Sequence, residues 1–185
     1  MRVARVLRAA GRAAAPWRNG GGVTREIASG PEGAGTEGFD WRVSLADVRG
    51  DGPFSVFPGT DRILTVIDGA GMDLTVGGRH LLAQRYVPRP FPGDVPTDGR
   101  LLAGPVVNLN VMHRRGAVRA AVAVVRGALT VGAPPDATVL VVALDGPAEV
   151  AGVALGRYDA ALCDAPGAVV RTDGHAAVVT LGRTD

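Results

Sequence analysis

The sequence contains no lysine; all 20 of its basic residues are arginine. That excludes a P-loop phosphate cradle, which needs a lysine followed by Ser or Thr at the opening of a helix. A single cysteine, Cys163, excludes an intramolecular disulfide framework and fits a cytoplasmic location. No G-x-S-x-G segment is present, so the nucleophile elbow of the α/β-hydrolases is missing. No apolar run approaches the ~20 residues of a transmembrane helix, so no membrane partner is expected. The net charge is only +2, and arginines alternate with acids instead of forming a basic stripe, which argues against nucleic acid as a partner. Aromatic residues make up only 4% of the chain, while Val, Ala, Gly and Leu dominate.

Glycine and proline are plentiful, at 27 and 13 residues, and short apolar runs lie between them without a sustained helical period. This pattern predicts an all-β fold with many turns. The arginine-rich lead, Met1 to Ala15, lacks the unbroken apolar stretch of a signal peptide and reads as an edge strand or irregular lead-in.

The most informative block is Pro16-Trp17-Arg18-Asn19-Gly20-Gly21-Gly22-Val23-Thr24-Arg25-Glu26-Ile27. Three glycines separate an indole, a guanidinium and an amide from the alternating run Thr24, Arg25, Glu26. Glycine permits φ > 0 and close approach of a ligand or a second backbone, so the block reads as part of a binding surface. A second block, Phe39 to Val48, places Arg42 and Ser44 on one strand face and Trp41, Val43 and Leu45 on the other. It is followed by Gly52-Pro53-Phe54-Ser55-Val56-Phe57-Pro58-Gly59-Thr60-Asp61-Arg62, then by Phe91-Pro92-Gly93-Asp94 and Gly104 to Gly116.

In these ordered segments, over about its first two thirds, the chain resembles the HutD/Ves family of small bacterial cupin-like proteins. The resemblance implies a cupin-like (RmlC-like) jelly-roll double barrel. It also implies a role linked to histidine utilisation, as a sensor or modulator binding a small carboxylate of the urocanate or N-formylglutamate type. Relatives of this kind usually carry Asp at the position of Asn108 and a small polar residue at that of His113. An amide at position 108 cannot act as a carboxylate base.

An internal echo points independently to a bicupin arrangement. Leu64-Thr65-Val66-Ile67-Asp68-Gly69, then Val76-Gly77-Gly78, is matched by Val141-Val142-Ala143-Leu144-Asp145-Gly146, then Val153-Ala154-Leu155-Gly156. Pro92-Gly93-Asp94 is matched by Asp164-Ala165-Pro166-Gly167. The expected halves are 1–116, carrying the ligand pocket, and 117–185, mainly structural.

Metal-binding cupins usually offer an H-x-H pair, whereas His80, His113 and His175 lie far apart, so no metal and no cofactor are expected. What remains is an anion-gripping set. It comprises Arg25, Arg42, Arg62, Arg114 and Arg115, with Trp17, Asn19, Asn108 and Asn110 as flat or amide partners and Thr24, Glu26, Ser44 and Asp61 beside them. Asp61 also offers itself as an ion-pair partner for the adjacent Arg62. The competing reading is a metal-free isomerase or hydrolase acting on a small acid, which requires a carboxylate or histidine within hydrogen-bond reach of the substrate and is marked by an acid deep in the pocket without an arginine partner. A third is an interaction protein that uses a sheet face to form a homodimer.

Overall fold

The computed structural model describes residues 4–132, 134–163 and 167–184, and within them the chain is entirely β. The strands are β1 (Ala4–Leu7), β2 (Ala15–Pro16), β3 (Gly22–Gly30), β4 (Trp41–Val48), β5 (Gly52–Pro53), β6 (Thr60–Asp68), β7 (Met72–Val76), β8 (Arg79–Ala83) and β9 (Arg89–Pro92). They continue with β10 (Thr97–Leu101), β11 (Val106–Arg114), β12 (Val118–Thr130), β13 (Thr138–Ala143), β14 (Ala148–Val150), β15 (Val153–Leu155), β16 (Ala160–Cys163) and β17 (Val169–Arg183). No helix is long and apolar enough to cross a membrane among these residues.

The chain divides into two compact units, one of residues 13–117 and one combining the first 12 residues with 118–185. The leading segment, assigned above to the N-terminal half, therefore packs in the C-terminal unit: β1 pairs antiparallel with β16 at the sheet edge. Asp159 fixes it there, accepting from the Ala9 amide and the Arg8 guanidinium, each at 2.7 Å, and from the Gly156 amide at 3.0 Å. In this unit the sheet order is β1-β16-β13-β17-β14-β15, with β12 along β17, around a core that includes Val139, Val141, Val150, Leu155 and Val170.

In the unit of residues 13–117 a six-stranded sheet, β2-β3-β4-β11-β6-β9, faces a four-stranded one, β5-β10-β7-β8. Ala46, Val48, Leu64 and Val66 from the larger sheet and Met72, Leu74 and Ala83 from the smaller one form a shared core, with Phe91 and Val106. The opposite face of the larger sheet is buried too, at Val43, Leu109 and Val111, so periodicity in the sequence could not say which face holds a pocket.

The two units repeat the same corner. Tyr86 and Tyr158 have φ of 64° and 67°, and their amides donate to Val66 and Ala143 carbonyls at 2.8 and 2.7 Å. Arg85 and Arg157 donate through Nε to the next carbonyls, of Ile67 and Leu144, and each lies over its own tyrosine ring. The hairpin turn Gly77-Gly78 (φ 53° and 81°) is matched by Ala151-Gly152 (φ 50° and 80°). The sequence echo therefore aligns at Ala151-Gly152 and not, as expected, at Val153 to Gly156. Residues 164–166 of the second Pro-Gly echo, and Met1 to Val3 of the lead, lie outside the described residues.

Candidate functional site

Antiparallel register puts directly paired residues on the same sheet face. On the inward face of the larger sheet this gives successive rows across β3, β4, β11 and β6. Near one end lie Gly22, Val48 and Val106; next come Thr24, Ala46, Asn108 and Val66; then Glu26, Ser44, Asn110 and Leu64; and last Ser29, Arg42, Met112 and Arg62, with Phe91 of β9 beside Arg62. One end of the face is apolar core and the other is polar. A bulge between Glu26 and Ala28 shifts the β3 register, which keeps Glu26 next to Ser44 while Ser29 meets Arg42.

Arg62 dominates this polar end. It is 7% exposed. Its guanidinium carbon lies 5.1, 5.4 and 5.8 Å from the ring centres of Phe54, Phe91 and Phe57. Nε donates to Asn110 Oδ1 at 3.4 Å and Nη1 to the Ser55 carbonyl at 3.3 Å. No carboxylate pairs with it among the described residues. Burial, and secondarily the positive charge of Arg42, push its pKa down to about 10. Room for its stem comes from Gly93, where a Cβ would stand 2.7 Å from the Thr60 carbonyl oxygen and 3.0 Å from Arg62 Cγ.

Arg42 is anchored differently. Its Nε donates to Glu26 Oε2 at 2.7 Å, and Glu26 Oε1 also accepts from Ser29 Oγ at 3.1 Å. Ser44 Oγ is fully buried and has no hydrogen-bond partner. Asn108 is 2% exposed.

The structure thus brings together Thr24, Glu26, Arg42, Ser44, Arg62, Asn108 and Asn110. Trp17 reaches the same face: its Nε1 donates to Thr24 Oγ1 at 2.8 Å, and its ring meets Phe54 edge-on at 6.1 Å. The triple glycine serves this contact. Gly20 takes φ 72° in the turn, and Gly22 leaves its Cα open to the indole, where a Cβ would stand 3.1 Å from the ring.

Four expected residues are elsewhere. Arg25 pairs in register with Leu45 on the opposite face and forms an ion pair with Asp47. Asn19 Oδ1 accepts from the Gly21 amide at 2.9 Å and serves the turn. Arg114 donates to the Glu37 and Phe39 carbonyls and clamps their loop. Asp61 is bound not to Arg62 but to Arg115, at 2.6 Å, because successive strand residues point to opposite faces. Arg115 also bonds Asp94, holding that carboxyl below its ordinary pKa. The phenylalanine cage was missed as chemistry, although the scarcity of aromatics and the spacing of Phe54, Phe57 and Phe91 were signals for it.

The donor set does not fit a metal. No three His, Cys, Asp or Glu side chains converge among the described residues. His80 and His175 are held by Asp73 and Asp145, at 3.2 and 2.6 Å. His113 pairs in register with Asp61, on the face opposite Arg62. A separate concavity of about 370 Å³ is lined by Asp51, Asp73, Asp98, His80 and Arg100, away from Arg62.

The chain is 42% identical over 101 residues to an uncharacterised 21.2 kDa protein of the hutC 3′ region of Pseudomonas putida, covering 53% of this chain and 52% of that one. It is 40% identical over 123 residues to protein Ves of Cronobacter sakazakii, covering 63% and 64%. The match thus spans about half to two thirds of the length of these relatives. Among solved structures, HutD from Pseudomonas fluorescens SBW25 superposes with a TM-score of 0.86 at 34% identity, covering 98% of this chain and 100% of that one. At 10% identity an oxalate decarboxylase of Bacillus subtilis superposes with a TM-score of 0.63, a likeness of fold alone that is shared with the bacterial pirin of Escherichia coli. Together with the two repeated units, this makes the architecture a cupin-type double barrel. The HutD family model matches residues 9–180, and the chain belongs to the HutD family.

Proposed function

We propose that this protein is a metal-independent, cytoplasmic binding protein for a small carboxylate, of the urocanate or N-formylglutamate type, acting as a modulator or sensor in histidine utilisation. The observation that carries the reading is Arg62, a buried guanidinium with two long hydrogen bonds and no anionic partner among the described residues. A bidentate carboxylate is the natural complement of such a group, and a low-dielectric surround makes the pair strong. Ser44 Oγ and the amides of Asn108 and Asn110, on the same face, add neutral donors. The link to histidine utilisation is supported by the hutC-region name of the Pseudomonas putida relative.

The enzyme reading calls for an inward carboxylate or histidine, and its mark is an acid without an arginine partner; His113 lies in register with Asp61 on the opposite face. Glu26 is the acid that register places on this face, and it is bonded to Arg42. Binding without turnover is therefore the better supported reading.

Calorimetry with urocanate, N-formylglutamate and glutamate against their amides tests the proposal. At least one acid is expected to bind, and to stabilise the fold by about 2.7 kcal/mol at 100 times its Kd, with the amides far weaker. Equal binding of acids and amides, or of none, overturns it.

A further inference from the structure

A sheet edge offers backbone N–H and C=O groups to any strand that can lie beside it, and soluble proteins blunt such edges by brevity, proline or charge. Here the edge strands β1, β2, β5, β8 and β15 run for five residues or fewer, and β9 carries Pro90 and Pro92. β12 is different: it has 13 residues and no proline, and β17 is its one strand partner among the described residues. A bulge between Val125 and Gly127 leaves Val118 to Val125 as its regular part. From Ala120 to Val125 that part has no charge, and Ala121 and Ala123 are exposed. The internal repeat shows how this fold treats the same position. β17 lies between β12 and β13 as β11 lies between β4 and β6, and β13 and β6 carry the equivalent corner carbonyls of Ala143 and Val66. β12 is thus the counterpart of β4. The outer edge of β4 is covered by antiparallel β3, whereas no strand covers that of β12 among the described residues.

We propose that this edge pairs with β12 of a second copy of the chain across a two-fold axis, so that two seven-stranded sheets run on as one. A two-fold axis normal to the sheet makes the pair antiparallel, the sense in which β3 covers β4. It also fixes which residues meet. Directly paired residues share a face, and under the two-fold their numbers add to twice that of the axis residue, which is even. Arg119 therefore opposes only odd-numbered residues: Ala123 with the axis at Ala121, or Val125 with the axis at Val122. It never opposes Arg126, so the like-charge contact that would destabilise the pair does not arise. An axis at Arg119 itself would set the two copies' arginines face to face, which confines the axis to the uncharged stretch. A strand of an unrelated protein would need its own uncharged stretch of matching length; a second copy supplies it. The interface belongs to the C-terminal unit and does not use the polar face built by residues 13–117.

Sedimentation equilibrium of the wild type at micromolar concentration is expected to give twice the mass of one chain. Ala121→Lys/Ala123→Lys places cations opposite one another, or opposite Arg119, with the axis at either residue. It should sediment as a single chain while keeping the β-type circular dichroism of the wild type. A second measurement does not depend on that variant folding. The axis residue faces its own copy with Cα atoms about 4.5–5.5 Å apart, within disulfide reach. On mild oxidation one of Ala121→Cys and Val122→Cys should link two chains far more readily than the other, or than Arg126→Cys, with the wild type and its buried Cys163 as control. A wild type that sediments as a single chain overturns the proposal and leaves the edge to a strand of another protein. So does a folded lysine variant that stays dimeric, or a dimeric wild type in which neither cysteine variant links.

Discussion

Arg62 Nε reaches Asn110 Oδ1 at 3.4 Å, and with the Ser55 carbonyl at 3.3 Å that is all the hydrogen bonding this guanidinium receives from the described residues. Ordinary N–H···O bonds cluster near ~2.9–3.0 Å. Asp159 is buried to the same degree, 8% against 7% exposed, yet it holds three partners at 2.7, 2.7 and 3.0 Å. One buried charge is satisfied by the fold and the other is left for something else.

Replacing Arg62 by Met should leave the ligand-free protein at least as stable as the wild type, because an incompletely paired buried ion is often replaced by an apolar side chain at no loss or with a gain of about 1–4 kcal/mol. Added carboxylate should then no longer raise the melting temperature. Thermal denaturation with and without ligand measures both. A drop of several degrees in the ligand-free variant would make Arg62 a structural residue.

The pH dependence of stability carries the same signature. The folded pKa of Arg62 is pushed down to about 10 by burial and by the Arg42 charge, so the folded state disfavours the bound proton. That cost is fully present below the folded value and is relieved as pH rises above about 10. A carboxylate binds the charged form, so affinity should be flat up to about pH 9 and fall above about 10. Chemical denaturation of wild type and Arg62→Met at rising pH isolates the effect, since other titrating groups are common to both. Parallel profiles through this range would contradict it.

Asp159→Ala should destabilise the C-terminal unit by about 1–3 kcal/mol, since it strips the Ala9 and Gly156 amides and Arg8 of their acceptor. Burial alone would raise the Asp159 pKa, but the Ala9 amide, Arg8 and the Gly156 amide outweigh it, and the net shift is downward from 3.8. Its contribution is therefore present above that value and is lost as pH falls through the lower folded one. Acid unfolding followed by circular dichroism should begin at higher pH in the variant. Coincident acid transitions would show that the bonds to the leading segment contribute little.

The sequence by itself determined that the chain is β throughout, that it is doubled, and that it belongs with the HutD proteins. Glycine turns and short apolar runs admit few other architectures, and ordered motifs survive as local patterns. It also identified most of the polar face, since alternation along β4 put Arg42 with Ser44 whatever lay around them. Tertiary structure alone decided which face was inward, because both faces of the larger sheet are buried and alternation cannot rank two buried faces. It separated Arg25 from Arg42 and Asp61 from Arg62, pairs adjacent along the chain or in motif but opposed across a sheet. It also determined that Glu26 pairs with Arg42 while Arg62 has no carboxylate partner among the described residues, because ion pairing depends on cross-strand register and bulges, and those are set by how the strands assemble.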